Sequence, residues 1–290
     1  MASLSEWIEG ARPRTLPNAV APVVAGVGAA IALDAFSWWR SLLALLVSLS
    51  LIVGVNYAND YSDGIRGTDE NRVGPLRLVG SGVAAPKAVL TAALIALGLA
   101  GVLGLLLVAL TGYWWLLAMG GLCILGAWFY TGGKKPYGYY GFGEIAVFVF
   151  FGLAGVLGTV YVQAGRISWA ALACAVAVGC FSTAVLTANN LRDIPTDVES
   201  GKLTLATRLG DRGTRRLYLA LLAVPYVLAL VLAFTGHPLA GIPVLSVSLL
   251  VQSVSAIRHN ATGRDLIPAL RDTGLAMLAW AVLAAVGLNL

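Results

Sequence analysis

The sequence predicts an all-α protein that crosses a membrane nine times. Three observations support this fold class: hydrophobic residues make up 59% of the 290 residues, charged residues make up only 11%, and long apolar runs recur from end to end. A soluble domain carries about 25% charged residues, and a helix needs roughly 20 apolar residues to cross a bilayer. The composition therefore indicates a polytopic membrane protein.

Nine apolar runs are long enough, or nearly so, to form these helices. Segments that contain charged residues, polar residues or glycine separate consecutive runs and interrupt the apolar pattern. The predicted spans cover residues 15–34, 41–59, 87–110, 114–130, 144–164, 168–190, 216–235, 238–257 and 271–289.

The basic residues predict how these helices are oriented. If the N-terminus is cytoplasmic and nine helices alternate, 17 of the 19 Lys and Arg residues lie on the cytoplasmic side, and only Arg40 and Arg166 lie outside. Basic residues concentrate on the cytoplasmic side of membrane proteins. We therefore expect a multi-pass protein of the inner (plasma) membrane whose C-terminus is outside. Because topology accounts for most of the positive charge, we expect no nucleic-acid partner.

Two predicted cytoplasmic loops, residues 61–86 and 191–215, are much longer than the others and begin alike. Each begins with an acidic cluster and continues into basic residues and glycines. Four predicted helices separate the loops, and an even number preserves orientation, which favours a parallel duplication of helices 1–4 as 5–8 with helix 9 added. We expect residues 1–290 to form one membrane domain whose two long loops carry a single active site on the cytoplasmic face.

The first loop follows an oxygen-rich cluster at the end of predicted helix 2. Asn56, Asn59, Asp60 and Asp63 are spaced i, i+3, i+4 and i+7, which places them on roughly one helical face. Carboxylates near the hydrocarbon zone usually have a function. Oxygen ligands of this kind suit Mg²⁺, which takes one or two carboxylates together with phosphate oxygens and water.

A second cluster, with Asn190, Asp193 and Asp197, offers similar oxygens after predicted helix 6. Pro195 lies inside it and predicts a helix break or a new helix start there, which weakens the argument that its acids share a face. The alternative for both clusters is that the acids cap helix ends or are solvated. Two clusters in register across a duplication favour a shared metal site instead.

Basic residues complete a predicted anion site beside the two clusters: Arg72, Arg77, Lys134 and Lys202. Mg²⁺ with Lys or Arg commonly binds a diphosphate leaving group, because negative charge develops on its oxygens as the bond breaks. The alternative is that these residues serve only as topological anchors.

An aromatic run borders the same predicted face, and Tyr130 and Tyr137 are its candidate functional residues. Aromatic faces stabilise cations, including a developing carbocation. The other aromatic residues of the run are interpreted as an interfacial belt, which is also the alternative for these two. Glu144 is interpreted either as a base or as a buried partner of a basic residue.

These motifs resemble the UbiA-type intramembrane prenyltransferases. Asn59-Asp60-x-x-Asp63 and Asp193-x-x-x-Asp197 look like the two Asp-rich motifs of that superfamily, and the segments 130–134 and 201–206 match its supporting segments. Residues 56–69, followed by 72–77, resemble the branch that prenylates 1,4-dihydroxy-2-naphthoate in menaquinone synthesis. One departure is Gly67, which stands where hydroxybenzoate-type members carry a third acid.

The resemblance implies transfer of a polyprenyl group from polyprenyl diphosphate to 1,4-dihydroxy-2-naphthoate, with loss of CO₂ and diphosphate, giving demethylmenaquinone. It implies that Mg²⁺ is held by Asn59, Asp63, Asp193 and Asp197, with Asp60 assisting. Arg72, Lys134 and Lys202 would bind diphosphate oxygens, Tyr130 would steady the cation, and the isoprenoid tail would lie among apolar helices, in contact with membrane lipid. Further substrate contacts are expected from these residues: Asn56, Arg77, Tyr137, Glu144 and Asn190.

Two alternatives remain open at this point. A UbiA-type enzyme could use another acceptor, such as 4-hydroxybenzoate, a chlorophyllide, haem or a sugar phosphate. A transporter of an anionic metabolite would also use repeats and intramembrane polar residues, but it predicts polar groups near the bilayer midplane. In this sequence the acids cluster at one predicted membrane face instead.

Overall fold

The computed structural model describes residues 2–67 and 76–290, and the regular structure in these residues is helical. A short N-terminal helix, α1, spans Leu4–Gly10. The apolar helices follow in chain order: α2 Pro17–Ile31, α3 Trp38–Gly64, α4 Pro86–Thr111, α5 Leu116–Phe129, α6 Gly143–Ala164, α7 Trp169–Glu199, α8 Leu205–Phe234, α9 Pro238–Arg258 and α10 Gly263–Gly287.

The helices agree with the apolar pattern of the sequence. Seven in the described residues, α3, α4 and α6–α10, are long and apolar enough to cross a membrane, and the chain is an integral membrane protein. The two other apolar helices, α2 and α5, have 15 and 14 residues. Each of the nine predicted segments overlaps one of these nine helices.

The expected helix break at Pro195 is wrong. Helix α7 runs through the proline to Glu199, and α8 already begins at Leu205, so most of the predicted loop 191–215 is helical. Helix α7 packs against α6, α8, α10 and α2. Packing on several sides can offset the loss of the one backbone hydrogen bond that a proline removes. Tertiary contacts therefore outweigh the tendency of Pro195 to break the helix.

Small residues allow α6 and α7 to pack closely at the centre of the molecule. A Cβ atom on Gly152 would lie 2.5 Å from the Gly179 Cα atom, so the two backbones nearly touch there. Helix α6 widens to π-helical turns over Phe148–Leu157, the stretch that makes this contact. Helices packed in lipid use small residues in this way to bring their backbones together.

A cavity separates two groups of helices. Helices α3, α4 and α5 pack in sequence on one side, while α6 and α7 pack with α2, α8 and α10 on the other. The ends of α3 and α7 that carry the acidic clusters both line this cavity.

The N-terminal segment is fastened to the end of α3. Helix α1 starts with a capping box in which Ser3 and Glu6 exchange hydrogen bonds with each other's backbone. The Trp7 carbonyl accepts a hydrogen bond from the Tyr57 hydroxyl at 2.8 Å, and Asn56 Nδ2 donates to the Ala11 carbonyl at 2.9 Å. Helix α1 therefore covers the last turns of α3.

Candidate active site

The candidate site is the polar end of a cavity of about 580 Å³. From α3 it is lined by Asn59 and Asp63, and from α7 by Asp193 and Asp197. Apolar residues of α3–α7 line the rest of it, as far as Ala44 and Val162 near the opposite ends of α3 and α6. The two acidic clusters therefore open into one space that is polar at one end and apolar along most of its length.

Asp63 contacts residues from three other parts of the chain. Its Oδ1 atom accepts a hydrogen bond from the Tyr139 hydroxyl at 2.6 Å and lies 3.8 Å from Lys202 Nζ. Its Oδ2 atom lies 3.5 Å from an Arg77 guanidinium nitrogen. The carboxylate thus joins α3 to the α5–α6 connection, to the loop after α3 and to the loop after α7.

Asn59 and Asn56, one and two turns before Asp63, also line the cavity. Asn59 Oδ1 accepts a hydrogen bond from the Thr131 hydroxyl at 2.7 Å, and within the described residues this leaves one lone pair of the oxygen for a ligand. The Asn56 amide nitrogen is instead used for hydrogen bonds within the protein, because it donates to the Ala11 carbonyl and to Thr15 Oγ1, both at 2.9 Å. Asn56 therefore anchors the N-terminal segment beside the site.

Asp60 does not line the cavity, although the helical spacing predicts that it shares a face with its neighbours. Its side chain is fully buried, and its two oxygens accept backbone N–H groups of Leu78 and Val79 at 2.8 and 2.9 Å. At 100° per residue, position i+4 lies at the edge of the stripe formed by i, i+3 and i+7. In the structure the Asp60 side chain points toward the loop after α3.

The second cluster is helical, and Asp193 and Asp197 lie one turn apart on the cavity side of α7. Arg192 holds the Asp193 carboxylate through two contacts, Nε to Oδ1 at 2.7 Å and NH2 to Oδ2 at 2.8 Å. The same guanidinium donates to Asn189 Oδ1 at 2.8 Å. A bidentate contact fixes the plane of the carboxylate, so Arg192 orients Asp193 toward the cavity.

The predicted basic residues are placed differently from one another. Arg77 and Lys202 line the polar end of the cavity and contact Asp63. Lys134 is exposed and does not line the cavity. Arg72 lies outside the described residues.

The sequence analysis missed several residues of the site, among them Thr131, Arg192 and two residues that meet at the α5–α6 connection. Tyr139, assigned to the interfacial belt, donates to Asp63 and lies beneath Lys202 Nζ, which is 4.6 Å from its ring centre. Arg66 packs over the same ring at 5.5 Å and donates to the Thr131 and Gly133 carbonyls. No local pattern distinguishes Tyr139 from its neighbours, since its role depends on how the α5–α6 connection folds back.

Tyr130 and Tyr137 line the cavity and meet edge to face, with ring centres 5.6 Å apart. Burial raises the pKa of the Tyr130 phenol, and the nearby Glu144 carboxylate adds to the effect. Burial also raises the pKa of Tyr137 to about 12. Both rings are therefore neutral phenols at physiological pH. The Tyr137 hydroxyl is used within the protein, where it donates to the Gly126 carbonyl at 2.6 Å.

Glu144 lies behind the cavity wall and not in it. Its Oε1 atom accepts a hydrogen bond from Asn190 Nδ2 at 2.9 Å. Its Oε2 atom is buried and has no hydrogen-bond partner among the described residues. Asn190 does line the cavity, so Glu144 touches the site through this amide.

The oxygens of the two clusters suit Mg²⁺. No group of three or more His, Cys, Asp or Glu residues in the described part of the chain is close enough to hold a metal ion unaided. The available donors are the amide oxygen of Asn59 and the carboxylates of Asp63, Asp193 and Asp197, which line one cavity from two helices. Mg²⁺ needs only one or two carboxylates when phosphate oxygens and water complete its shell, so this donor set fits an ion bound together with a phosphate-bearing substrate.

The fold and the site define the class of protein: an integral membrane protein whose cavity is acidic and basic at one end and apolar beyond it. The chain belongs to the UbiA prenyltransferase family, whose sequence model matches residues 19–270.

Curated relatives match over nearly the full length. A 1,4-dihydroxy-2-naphthoate octaprenyltransferase of Mycobacterium tuberculosis is 59% identical over 98% of this chain and 97% of the relative. A protein of the same name from Escherichia coli is 39% identical over 92% of this chain and 89% of the relative. These matches confirm the predicted resemblance to the naphthoate branch.

Solved structures share the fold. A UbiA homolog from Archaeoglobus fulgidus bound to DMAPP and Mg²⁺ has a TM-score of 0.67 at 16% identity, covering 97% of this chain and 99% of that one. The apo structure of a UbiA homolog from Aeropyrum pernix K1 has a TM-score of 0.69 at 16% identity, covering 93% of this chain and 96% of that one.

Proposed function

We propose that this protein is a Mg²⁺-dependent prenyltransferase of menaquinone synthesis. It transfers a polyprenyl group from polyprenyl diphosphate to 1,4-dihydroxy-2-naphthoate, with loss of CO₂ and diphosphate, giving the reduced form of demethylmenaquinone. The observation that carries this proposal is the shared cavity, in which Asp63, Asp193 and Lys202 lie at the polar end of a long apolar chamber. The 1,4-dihydroxy-2-naphthoate octaprenyltransferases that match this chain support the choice of reaction and acceptor.

The polar end binds the diphosphate. Asn59, Asp63, Asp193 and Asp197 would hold Mg²⁺, which when bound neutralises charge on the diphosphate and so lowers the barrier to its departure. Lys202 and Arg77 contact Asp63 from two loops and are positioned to donate to diphosphate oxygens at the same place. By family resemblance, Arg72 and Lys134 are also assigned to binding of the diphosphate in this proposal.

The apolar chamber takes the isoprenoid tail. Val147 and Phe151 line it, whereas Phe148 packs onto Gly179 instead. Apolar walls exclude water from an allylic cation, which water would otherwise trap as an alcohol. The neutral rings of Tyr130 and Tyr137 line the same cavity as the acids, and an aromatic face stabilises positive charge.

The acceptor attacks at the boundary between the polar end and the chamber. The new C–C bond forms between C1 of the prenyl group and the ring carbon that bears the carboxylate, while the C–O bond to diphosphate breaks. Loss of CO₂ from that carbon then restores aromaticity. The Arg77 guanidinium has five N–H donors, so we assign it to the acceptor carboxylate as well as to the diphosphate. We assign Asn190, whose amide is oriented by Glu144, to a hydrogen bond with the acceptor hydroxyl.

We further propose that the chain crosses the inner (plasma) membrane nine times as one domain, with helices 1–4 repeated as 5–8, the N-terminus and active site cytoplasmic, and the C-terminus outside. The distribution of Lys and Arg supports this orientation. A membrane-impermeant thiol reagent should label a cysteine placed at Asp34 in intact cells and one placed at Ser200 only after the cells are opened. Labelling of the Ser200 position in intact cells would reverse the orientation.

The test of the reaction is a membrane assay with labelled polyprenyl diphosphate and Mg²⁺, in which 1,4-dihydroxy-2-naphthoate and 4-hydroxybenzoate are offered in parallel. We expect a labelled lipid product from the naphthoate alone, abolished by EDTA. Product from the benzoate alone would support Mg²⁺-dependent prenyl transfer but would contradict the naphthoate as the acceptor. Failure with both, in membranes that hold folded protein, would reject the proposed reaction and favour another acceptor or transport.

A further inference from the structure

We infer that Asp60 is a positioning residue, which anchors the loop after α3 and thereby places Arg77 beside Asp63. The functional part of this inference rests on the proposed function, whereas the anchoring itself does not. It gives Asp60 a role distinct from that of a metal ligand.

The contacts of Asp60 point away from the cavity. Its carboxylate is fully buried on α3, three residues before Asp63, and does not line the cavity that Asp63 lines. Its Oδ2 and Oδ1 atoms accept the N–H groups of the consecutive residues Leu78 and Val79 at 2.8 and 2.9 Å. Burying a carboxylate is costly unless its oxygens are hydrogen-bonded, so these N–H groups are its required partners.

The anchored residues directly follow Arg77. Leu78 is fully buried, and Val79 packs so closely on α3 that a Cβ atom on Gly64, one turn after Asp60, would lie 2.4 Å from Val79 Cγ1. The chain is thus held against α3 immediately after Arg77. From this backbone the Arg77 side chain reaches the cavity, with a guanidinium nitrogen 3.5 Å from Asp63 Oδ2.

Further contacts hold the same loop from both sides. Glu9 Oε1 on α1 accepts the Leu76 N–H at 3.3 Å, and Leu78 packs against Gly10, where a Cβ atom would lie 2.7 Å from Leu78 Cδ1. On the other side, the Arg77 carbonyl accepts the Ser81 N–H at 2.9 Å. The backbone around Arg77 is therefore fixed, and Asp60 supplies two of the hydrogen bonds that fix it.

The first test is hydrogen–deuterium exchange of the substrate-free protein in detergent. Asp60→Asn replaces an acceptor oxygen with a donor, and Asp60→Glu keeps the charge but displaces both oxygens. In both variants we expect the amides of Leu78 and Val79 to exchange at least tenfold faster, while the matched control Asp265→Asn, at an exposed position in the first turn of α10, leaves them unchanged. Unchanged protection in both folded Asp60 variants would overturn the anchoring.

The second test measures prenyl transfer. We expect Asp60→Asn and Arg77→Ala each to lower kcat/KM tenfold or more, and the double variant to be no worse than Arg77→Ala alone, since both changes act through Arg77. The Mg²⁺ concentration for half-maximal activity should stay within twofold of the wild-type value in Asp60→Asn. The proposed role would be overturned if the double variant lost kcat/KM by the product of the two single losses. A shift in Mg²⁺ dependence as large as that of Asp63→Asn would also overturn it.

A binding readout separates this inference from the proposed reaction. Thermal stabilisation of the protein by Mg²⁺ with inorganic diphosphate should be lost in Arg77→Ala and reduced in Asp60→Asn and Asp60→Glu, even if no acceptor is turned over. Full stabilisation of the Asp60 variants together with its loss in Arg77→Ala would contradict the coupling between the two residues.

Discussion

The Tyr139 hydroxyl donates a hydrogen bond to Asp63 Oδ1 across 2.6 Å, between residues that are 76 positions apart in the chain. Through this contact the α5–α6 connection holds a carboxylate that also faces Arg77 and Lys202. Lys202 Nζ also lies over the face of the Tyr139 ring. One aromatic side chain therefore orients both the Asp63 carboxylate and the Lys202 cation.

Replacing Tyr139 should therefore impair catalysis without unfolding the protein. Tyr139→Phe keeps the ring beneath Lys202 but removes a hydrogen bond to a charged group, which contributes about 1.5–3 kcal/mol. We expect kcat/KM for the prenyl donor to fall roughly 10- to 100-fold. Steady-state kinetics in membranes will measure this loss, and Tyr140→Phe, at a more exposed neighbouring tyrosine, should behave as wild type. Equal activity of the two variants would show that the Tyr139 hydroxyl does not contribute to catalysis.

The two candidate lysines should differ in importance. Lys202 lines the cavity and lies 3.8 Å from Asp63, whereas Lys134 is exposed. Lys202→Met should raise KM for polyprenyl diphosphate about tenfold or more, because a charge-assisted contact to the diphosphate is lost. Lys134→Met should change KM by less than about threefold, as expected for a contact that solvent screens. The opposite ranking in the same kinetic assay would assign the diphosphate contact to the α5–α6 connection.

Space in the chamber should limit the length of the prenyl donor. Gly104 on α4 lines the cavity, and a Cβ atom there would meet nothing within 4 Å. Gly104→Leu should therefore fill the chamber without disturbing helix packing. We expect kcat/KM to fall at least tenfold for a long donor and by less for geranyl diphosphate. Gly98→Leu is the matched control, since Gly98 has the same open surroundings on the same helix but does not line the cavity. Equal losses for both donors would contradict this path for the tail.

The contact between α6 and α7 should set the stability of the bundle. Gly152→Ala introduces a Cβ atom 2.5 Å from Gly179 Cα, in a place where only backbone could yield. Overpacking of this kind costs about 1–3 kcal/mol, so the unfolding midpoint in detergent should fall. Gly98→Ala adds the same methyl group in open space and should leave the midpoint unchanged in the same thermal-shift measurement. Equal midpoints for the two variants would contradict the close approach.

Apolar segments and acidic clusters were predictable because they depend on composition and spacing along one helix. The direction of a side chain at the edge of the polar helical face could not be predicted in this way. Asp60 is three residues from Asp63, yet it faces Leu78 and Val79 and not the cavity. Helical period places such a residue within a sector, and contacts distant in sequence decide which neighbour it meets.

Other features depended on tertiary packing alone. The local rule for proline predicted a break at Pro195, but packing on several sides keeps α7 helical to Glu199. Tyr139 looked like one more interfacial aromatic until the folded connection brought its hydroxyl to Asp63.

We propose that the acids at the ends of α3 and α7 form one site for Mg²⁺ and diphosphate. The most direct measurement is a Mg²⁺ titration of prenyl transfer by the wild type, Asp63→Asn and Asp193→Asn in membranes, with Asp265→Asn as the control. We expect both site variants to lose at least a hundredfold in kcat and to require more Mg²⁺, while the control matches the wild type. Near-normal turnover by either site variant at the wild-type Mg²⁺ requirement would contradict it.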